Sequence, residues 1–179
     1  MNSDVILRPP QEQDKKERLA LGRDVEFVRM VGGNLDRIVP LTPKEVDEWF
    51  NKICHSAHNW VIEADGQYRG TACLHSMNEQ DRRAVYSIGL HDPTTRGRGI
   101  GTIVTQMVLQ YAFTTLNLHR VSLRVLDFNQ RAIACYRKCG FVEEGVERET
   151  FFCDGQWHND IMMGILNHEY AQLIEEKGN

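Results

Sequence analysis

No apolar run in this chain approaches the roughly 20 residues that a membrane-spanning helix needs. Met1-Asn2-Ser3-Asp4 offers neither a basic segment nor an apolar stretch for a secretory leader. Neither membrane insertion nor secretion is expected. Cysteine is odd in number and lacks close pairing: Cys54, Cys73, Cys135, Cys139 and Cys153 include no C-x-x-C pair. A disulfide framework is therefore not expected, and a reduced, cytoplasmic setting is. Cys135 and Cys139 could share a helical face and offer half a metal site, but small buried hydrophobes are the plainer reading, and no metal is expected. Lys/Arg tracts with interleaved aromatics are also missing, and the formal net charge is -4, so nucleic acid is not an expected partner. Repeats, low-complexity segments and linkers are absent. The 179 residues thus read as a single domain over 1–179, as a monomer or homodimer.

Acid is missing from one stretch in particular. Between Thr94 and Leu126 there is no Asp or Glu, while Arg96, Arg98, Arg120 and Arg124 fall inside it. Near its start stands Arg96-Gly97-Arg98-Gly99-Ile100-Gly101. Upstream, Ala84 to Leu90 is β-prone, and Asp92-Pro93 ends it. Downstream, Ile100, Ile103, Val104, Met107, Val108 and Tyr111 follow the i, i+3, i+4, i+7 stripe of a helix. The glycines therefore lie where a helix begins. Lacking Cβ atoms, they let its unpaired N–H groups approach an anion, helped by the positive end of the helix dipole. With the flanking arginines, the expected ligand is a phosphate.

Three glycine-loop designs compete for that ligand. A P-loop needs Gly-Lys-Ser/Thr, which the chain lacks. The dinucleotide pattern G-x-G-x-x-G could begin at Gly97 and Gly99, but its third glycine falls on Thr102, although Asp127 is placed to bind a ribose. The third, R/Q-x-x-G-x-G/A, is matched by Arg96, Gly99 and Gly101. Here the chain resembles the GNAT acetyltransferase superfamily, whose loop grips the pyrophosphate of coenzyme A.

The remaining chain reads as follows. Val5 to Arg8 is a strand closed by Pro9-Pro10, a charged helical stretch covers about Gln11 to Leu21, and the apolar patch Val25 to Met30 ends at Gly32-Gly33-Asn34. Thr42, Pro43 and Glu45 mark a capped helix start, and its buried face is Val46, Trp49, Phe50 and Ile53; this helix and the helical segment before it could line an acceptor site or simply pack against a sheet. Trp60–Asp65 and Tyr68–Met77 are strands joined at Asp65-Gly66. The alternating segment Val121, Leu123, Val125 is expected to lie parallel to Ala84–Leu90 through the helical crossover. Asn129 can cap a helix that Gly140 ends, and Val146–Cys153 and Gln156–Leu166 flank a second hairpin at Asp154-Gly155.

A second block strengthens the resemblance. N-x-x-A-x-x-x-Y-x-x-x-G-F is present as Asn129, Ala132, Tyr136, Gly140 and Phe141. The ending with Glu144, Gly145, Arg148, Asp154, Gly155, Trp157, Asp160 and Met163 resembles the ribosomal-protein N-terminal acetyltransferase branch. The resemblance implies an α/β (α+β) fold: a mixed, mostly antiparallel, twisted sheet of about seven strands flanked by helices. It also implies acetyl-coenzyme A as acetyl donor, with Arg96, Gly97, Arg98, Gly99, Ile100 and Gly101 on the pyrophosphate. Ile88 and Leu90 would follow the pantetheine arm, and Asn129 would contact the cofactor.

The implied chemistry is attack of an amine on a thioester, with a tetrahedral oxyanion and a departing thiolate. Backbone N–H groups at the end of strand Ala84–Leu90 could bind the oxyanion. Tyr136 is the candidate general acid, since a phenol with pKa about 10 stays protonated and can give its proton to the thiolate; packing in an amphipathic helix is its plainer alternative. No carboxylate lies in Ala84–Leu90, so His75 or a water chain is left as the base, with His119 and His158 behind it. Glu143, Glu144, Glu147, Glu149, Asp154 and Asp160 could form a negative rim for a cationic amine. The expected acceptor is a primary amine, a protein or peptide N-terminus ahead of a polyamine or aminoglycoside. A non-catalytic acyl-coenzyme A binder and a nicotinamide-dependent enzyme remain as rivals.

Overall fold

A computed structural model describes residues 4–35 and 38–178. Met1 to Ser3, part of the segment read for a leader, lie outside the described residues. The described residues form seven strands hydrogen-bonded in the order β1-β2-β3-β4-β5-β7-β6, with six helices. The β4–β5 pair is parallel. The pairs β1–β2, β2–β3, β5–β7 and β6–β7 are antiparallel, which gives the expected mixed, mostly antiparallel sheet.

Contacts gather into two compact units. The first holds the described residues of Met1–Cys73 and Ile88–Val104, and the second those of Leu74–Ser87 and Thr105–Asn179. In the first unit come β1 (Val5–Arg8), α1 (Gln13–Leu21), α2 (Val25–Met30), α3 (Pro43–Cys54), β2 (Asn59–Ala64) and the start of β3 (Gln67–Asn78). The capping box that begins α3 is complete: Glu45 N–H donates to Thr42 Oγ1 at 3.3 Å and Thr42 N–H to the Glu45 carboxylate at 2.9 Å. Phe50 and Ile53 of α3 pack on Val61 and Tyr68, with Leu21 and Trp49 against them. The Asp65-Gly66 turn has φ of 55° and 73°, the left-handed pair that a two-residue hairpin requires. A register shift after Ile62 pairs Ile62 with Gly70 and Glu63 with Tyr68, so Arg69 bulges from the ladder.

The second unit contains most of β4 (Arg83–Leu90), the later turns of α4 (Ile100–Gln110), β5 (Arg120–Leu126), α5 (Gln130–Lys138), β6 (Val142–Cys153), β7 (Gln156–Leu166) and α6 (Asn167–Gly178). A π-helical turn, Tyr111–Thr115, prolongs α4 and sets Phe113 against Tyr170 of α6, ring centroids 5.0 Å apart. Asp154 and Gly155, at φ of 51° and 79°, close the β6–β7 hairpin as expected. Helix α6 has no counterpart in the sequence reading.

Candidate active site

In the first unit the chain leaves β4 through a braced corner. The carbonyl of Arg69 accepts from His91 N–H at 2.8 Å and from Asp92 N–H at 3.2 Å, so the bulge on β3 receives the exit of β4. The buried Asp92 carboxylate accepts from Thr94 N–H at 2.9 Å and Thr94 Oγ1 at 2.8 Å, and pairs with the Arg69 guanidinium. Burial alone would raise the Asp92 carboxyl, but the Thr94 hydrogen bonds and Arg69 outweigh it and hold the group below its ordinary range. Asp92 also caps the 3₁₀ turn Pro93–Thr95. The only sequence signal for Arg69 is a charged residue within a hairpin strand.

Beyond that turn, Gly97 and Gly99 adopt φ of 75° and 78°, and a Cβ built on either would have nothing within 4 Å. Open space and left-handed backbone together describe a cradle rather than a packed turn. Gly99 closes the first turn of α4, its carbonyl accepting from Thr102 N–H at 3.0 Å and Ile103 N–H at 3.1 Å. The N–H groups of Gly97 and Gly99 find no acceptor among the described residues. Ile100 is fully buried and anchors the helix, while Ile88, Leu90 and Gly101 are half-buried. This unit thus brings together the expected cofactor residues from Ile88 to Gly101.

The arginines, however, are engaged. Arg96 donates to Glu26 at 2.9 Å and pairs with Asp24, and Arg98 donates to Asp65 at 2.8 Å. In the second unit Arg120 pairs with Glu144, and Arg124 stands 3.8 Å from Asp160. All four cations of the acid-free stretch are met by carboxylates from elsewhere in the chain. The bare positive field read from local sequence is corrected accordingly.

Around His91 an aromatic cluster fills the end of β4. The Tyr68 hydroxyl lies 2.5 Å from His91 Nδ1, the Phe27 and His91 rings meet edge-on at 5.0 Å, and Trp49 stands 6.4 Å from His91. Burial, with a smaller repulsion from Arg18, pushes His91 down to about 3, so the imidazole is neutral at physiological pH. The sequence offers the helical segment of Trp49 as a possible lining of an acceptor site, and it gives no functional signal for Tyr68 or His91.

The second unit holds the other expected residues. Its parallel ladder is short, Arg83–Val85 against Arg120–Ser122, and Tyr86 and Ser87 lie beyond it. Tyr136 is buried on α5, its ring edge-on to Tyr86 at 6.4 Å and to Phe141 at 5.8 Å. Its hydroxyl makes no hydrogen bond among the described residues. Burial, then the neighbouring Cys135 and Cys139, raises its phenol well above the ordinary value. Asn129 caps α5, its side-chain oxygen accepting from Ala132 N–H at 3.3 Å. His75 is exposed, with Nε2 3.0 Å from Ser87 Oγ. Strand alternation puts buried Tyr86 and exposed Ser87 on opposite faces of β4, so Tyr136 and His75 serve opposite faces. His119 is exposed, and His158 is held by Asp127 at 3.4 Å and by the Phe128 ring. Asp127 also accepts from Asn159 N–H and Nδ2, both at 3.0 Å, which leaves it poorly placed for a ribose. The hairpin acids are partly spent as well, since Glu143 pairs with Arg137 and Glu144 with Arg120.

Among the described residues no group of three His, Cys, Asp or Glu could hold a metal ion, and no helix is long and apolar enough to cross a membrane.

A family profile described as "Acetyltransferase (GNAT) domain" matches residues 4–142. The spermidine N(1)-acetyltransferase of Escherichia coli (strain K12) is 37% identical over 135 residues, covering 74% of this chain and 71% of that protein. The [ribosomal protein uS5]-alanine N-acetyltransferase of the same organism is 23% identical over 86 residues, covering 48% and 43%. The crystal structure of spermidine N-acetyltransferase from Vibrio cholerae in complex with CoA and spermine superimposes with a TM-score of 0.79 at 28% identity, covering 93% of this chain and 98% of that one.

Proposed function

This chain belongs to the GNAT acetyltransferase family and is an acetyl-coenzyme A dependent N-acetyltransferase, and from that premise we propose that its acceptor is a polyamine of the spermidine class. The 37% identity to a spermidine enzyme over 135 residues carries this reading. The protein N-terminus expected from the tail motif loses its lead, because the uS5-alanine enzyme matches at only 23% over 86 residues. The nicotinamide reading falls with the family assignment, and so does a non-catalytic binder.

In the proposed site, Gly97, Gly99 and Gly101 bring backbone N–H groups and the start of α4 to the pyrophosphate, with Arg98 and Ile100 beside them. Ile88 and Leu90 flank the pantetheine arm, and Asn129 contacts the cofactor. The amine nitrogen attacks the acetyl carbonyl, the carbonyl electrons move to oxygen, and on collapse the C–S bond breaks. Tyr136 gives its proton to the leaving sulfur. Burial keeps the phenol in its acid form, the form that can donate a proton in that step. The acceptor ammonium must first lose a proton, and His75, bonded to Ser87 on the other face of β4, is the proposed base, directly or through water. We also propose that residues 1–179 act as one catalytic domain in the cytoplasm.

Thiol release with acetyl-coenzyme A and equal concentrations of spermidine or an Ala-starting peptide tests the acceptor. Spermidine is expected to give at least tenfold higher kcat/KM. A peptide preferred by that margin overturns the polyamine reading.

A further inference from the structure

Helix α2 is only six residues long and contributes no buried residue, so its own cohesion cannot fix its place. Asp24 does. One oxygen of its carboxylate accepts from Glu26 N–H at 2.9 Å and Phe27 N–H at 3.3 Å, capping the helix, and the other meets Arg96. Arg96 also donates to Glu26 at 2.9 Å. The glycine loop and the first turn of α2 are thus tied by one guanidinium shared between two carboxylates.

What α2 presents is Phe27. Its Cζ would lie 3.1 Å from a Cβ built at Gly89, and its ring is edge-on to His91, which in turn faces Trp49. Aromatic rings at the end of β4 suit a chain of methylenes and ammonium groups, which they attract through both dispersion and the ring quadrupole.

We propose that Arg96 is a positioning residue for the amine acceptor: it clamps the cap of α2 so that Phe27, with His91 and Trp49, offers an aromatic wall to an alkylammonium chain at the end of β4. This rests on the reading above that acyl transfer occurs at that end of the strand. Recruiting Arg96 to a phosphate instead would strip Asp24 of its partner, with the Asp24 side chain only 15% exposed, and leave that carboxylate near another anion. Arg98 is different. Its pair with Asp65 is 40% and 44% exposed, of a kind that contributes little, so Arg98 is the guanidinium assigned to the pyrophosphate.

The test compares Arg96→Gln, Arg96→Lys, Asp24→Asn and Arg98→Gln. Coenzyme A affinity is read by calorimetry, and KM and kcat are read with whichever of spermidine and the Ala-starting peptide the wild type acetylates faster. Arg96→Gln and Asp24→Asn are each expected to raise amine KM at least tenfold while coenzyme A Kd stays within threefold. Arg96→Lys, which keeps one ion pair, recovers part of the loss, and the double variant Arg96→Gln/Asp24→Asn is no worse than either single one. Arg98→Gln shows the reverse split, with weaker coenzyme A binding. If Arg96→Gln weakens coenzyme A tenfold and leaves amine KM unchanged, Arg96 is a phosphate ligand and the proposal is wrong. Should Arg96→Gln not fold, Asp24→Asn decides alone, since it lies outside the loop. A wild type that prefers another amine to spermidine refutes the polyamine assignment, yet the split between amine KM and coenzyme A Kd still judges Arg96.

Discussion

A Cβ added at Gly70 would fall 1.9 Å from the carbonyl oxygen of Gly89 and 3.0 Å from Leu90 Cα. Both obstacles are backbone, so β3 and β4 must separate where β4 delivers the chain to His91. A Cβ at Gly89 would instead meet side chains, His91 Nε2 and Phe27 Cζ, each at 3.1 Å. We expect Gly70→Ala to cost about 3 kcal/mol or more and Gly89→Ala about 1 kcal/mol. Urea midpoints measure both, and equal losses would show that the strands yield easily.

The glycine loop makes a different prediction, because Gly99→Ala meets no atom within 4 Å. Its cost lies in the φ of 78°, roughly 1–2 kcal/mol for a side chain held there. If the loop relaxes to avoid that cost, its N–H groups lose their aim. We expect coenzyme A Kd to rise about tenfold, equivalent to about 1.4 kcal/mol, with little change in thermal midpoint. Unchanged affinity would reduce the loop to a helix entry.

Much of this architecture was legible because its signals are local. Thr42-Pro43-x-Glu45 announces its helix through its own backbone, Asp65-Gly66 and Asp154-Gly155 supply left-handed turns, and Asn129 caps α5 as expected. The electrostatics were not legible, because each arginine from Arg96 to Arg124 finds its acid far along the chain, Asp24 and Arg96 being 72 residues apart. The aromatic cluster at His91 was hidden for the same reason: Phe27, Trp49 and Tyr68 come from three separate elements. Helix α6 lacks a cap signal of the Ser/Thr kind, and its first turn is closed by Glu169, which accepts from Leu166 N–H at 2.8 Å.

Tyr136→Phe removes a hydroxyl that holds no other residue among those described, so the fold should survive it. Turnover is expected to fall roughly 100-fold, in the range for loss of a general acid, with coenzyme A affinity nearly intact. Since burial keeps the phenol protonated well beyond its ordinary range, kcat should show no alkaline decline from this group up to pH 10. Steady turnover in the variant would transfer the role to water or another group.

His91 gives the fold an acid limit. Its value drops from 6.5 to about 3 on folding, first through burial and then through Arg18. Between those limits the unfolded chain holds a proton that the folded one refuses, so acidification draws the equilibrium toward unfolding and stability rises with pH across the window. Above pH 6.5 the ring is neutral in both states and contributes no slope. At pH 5, about 1.5 units inside the window, the loss attributable to His91 is about 2 kcal/mol. Gln at this position keeps a polar group for the Tyr68 hydroxyl, which stands 2.5 Å from the ring nitrogen, without taking up a proton. Urea unfolding at pH 7.5 and pH 5.0 should therefore show a smaller acid penalty in His91→Gln than in the wild type, by about that amount. Equal penalties would mean that His91 accepts its proton within the fold, and the neutral aromatic wall beside Phe27 would then carry a positive charge that repels an alkylammonium acceptor at low pH.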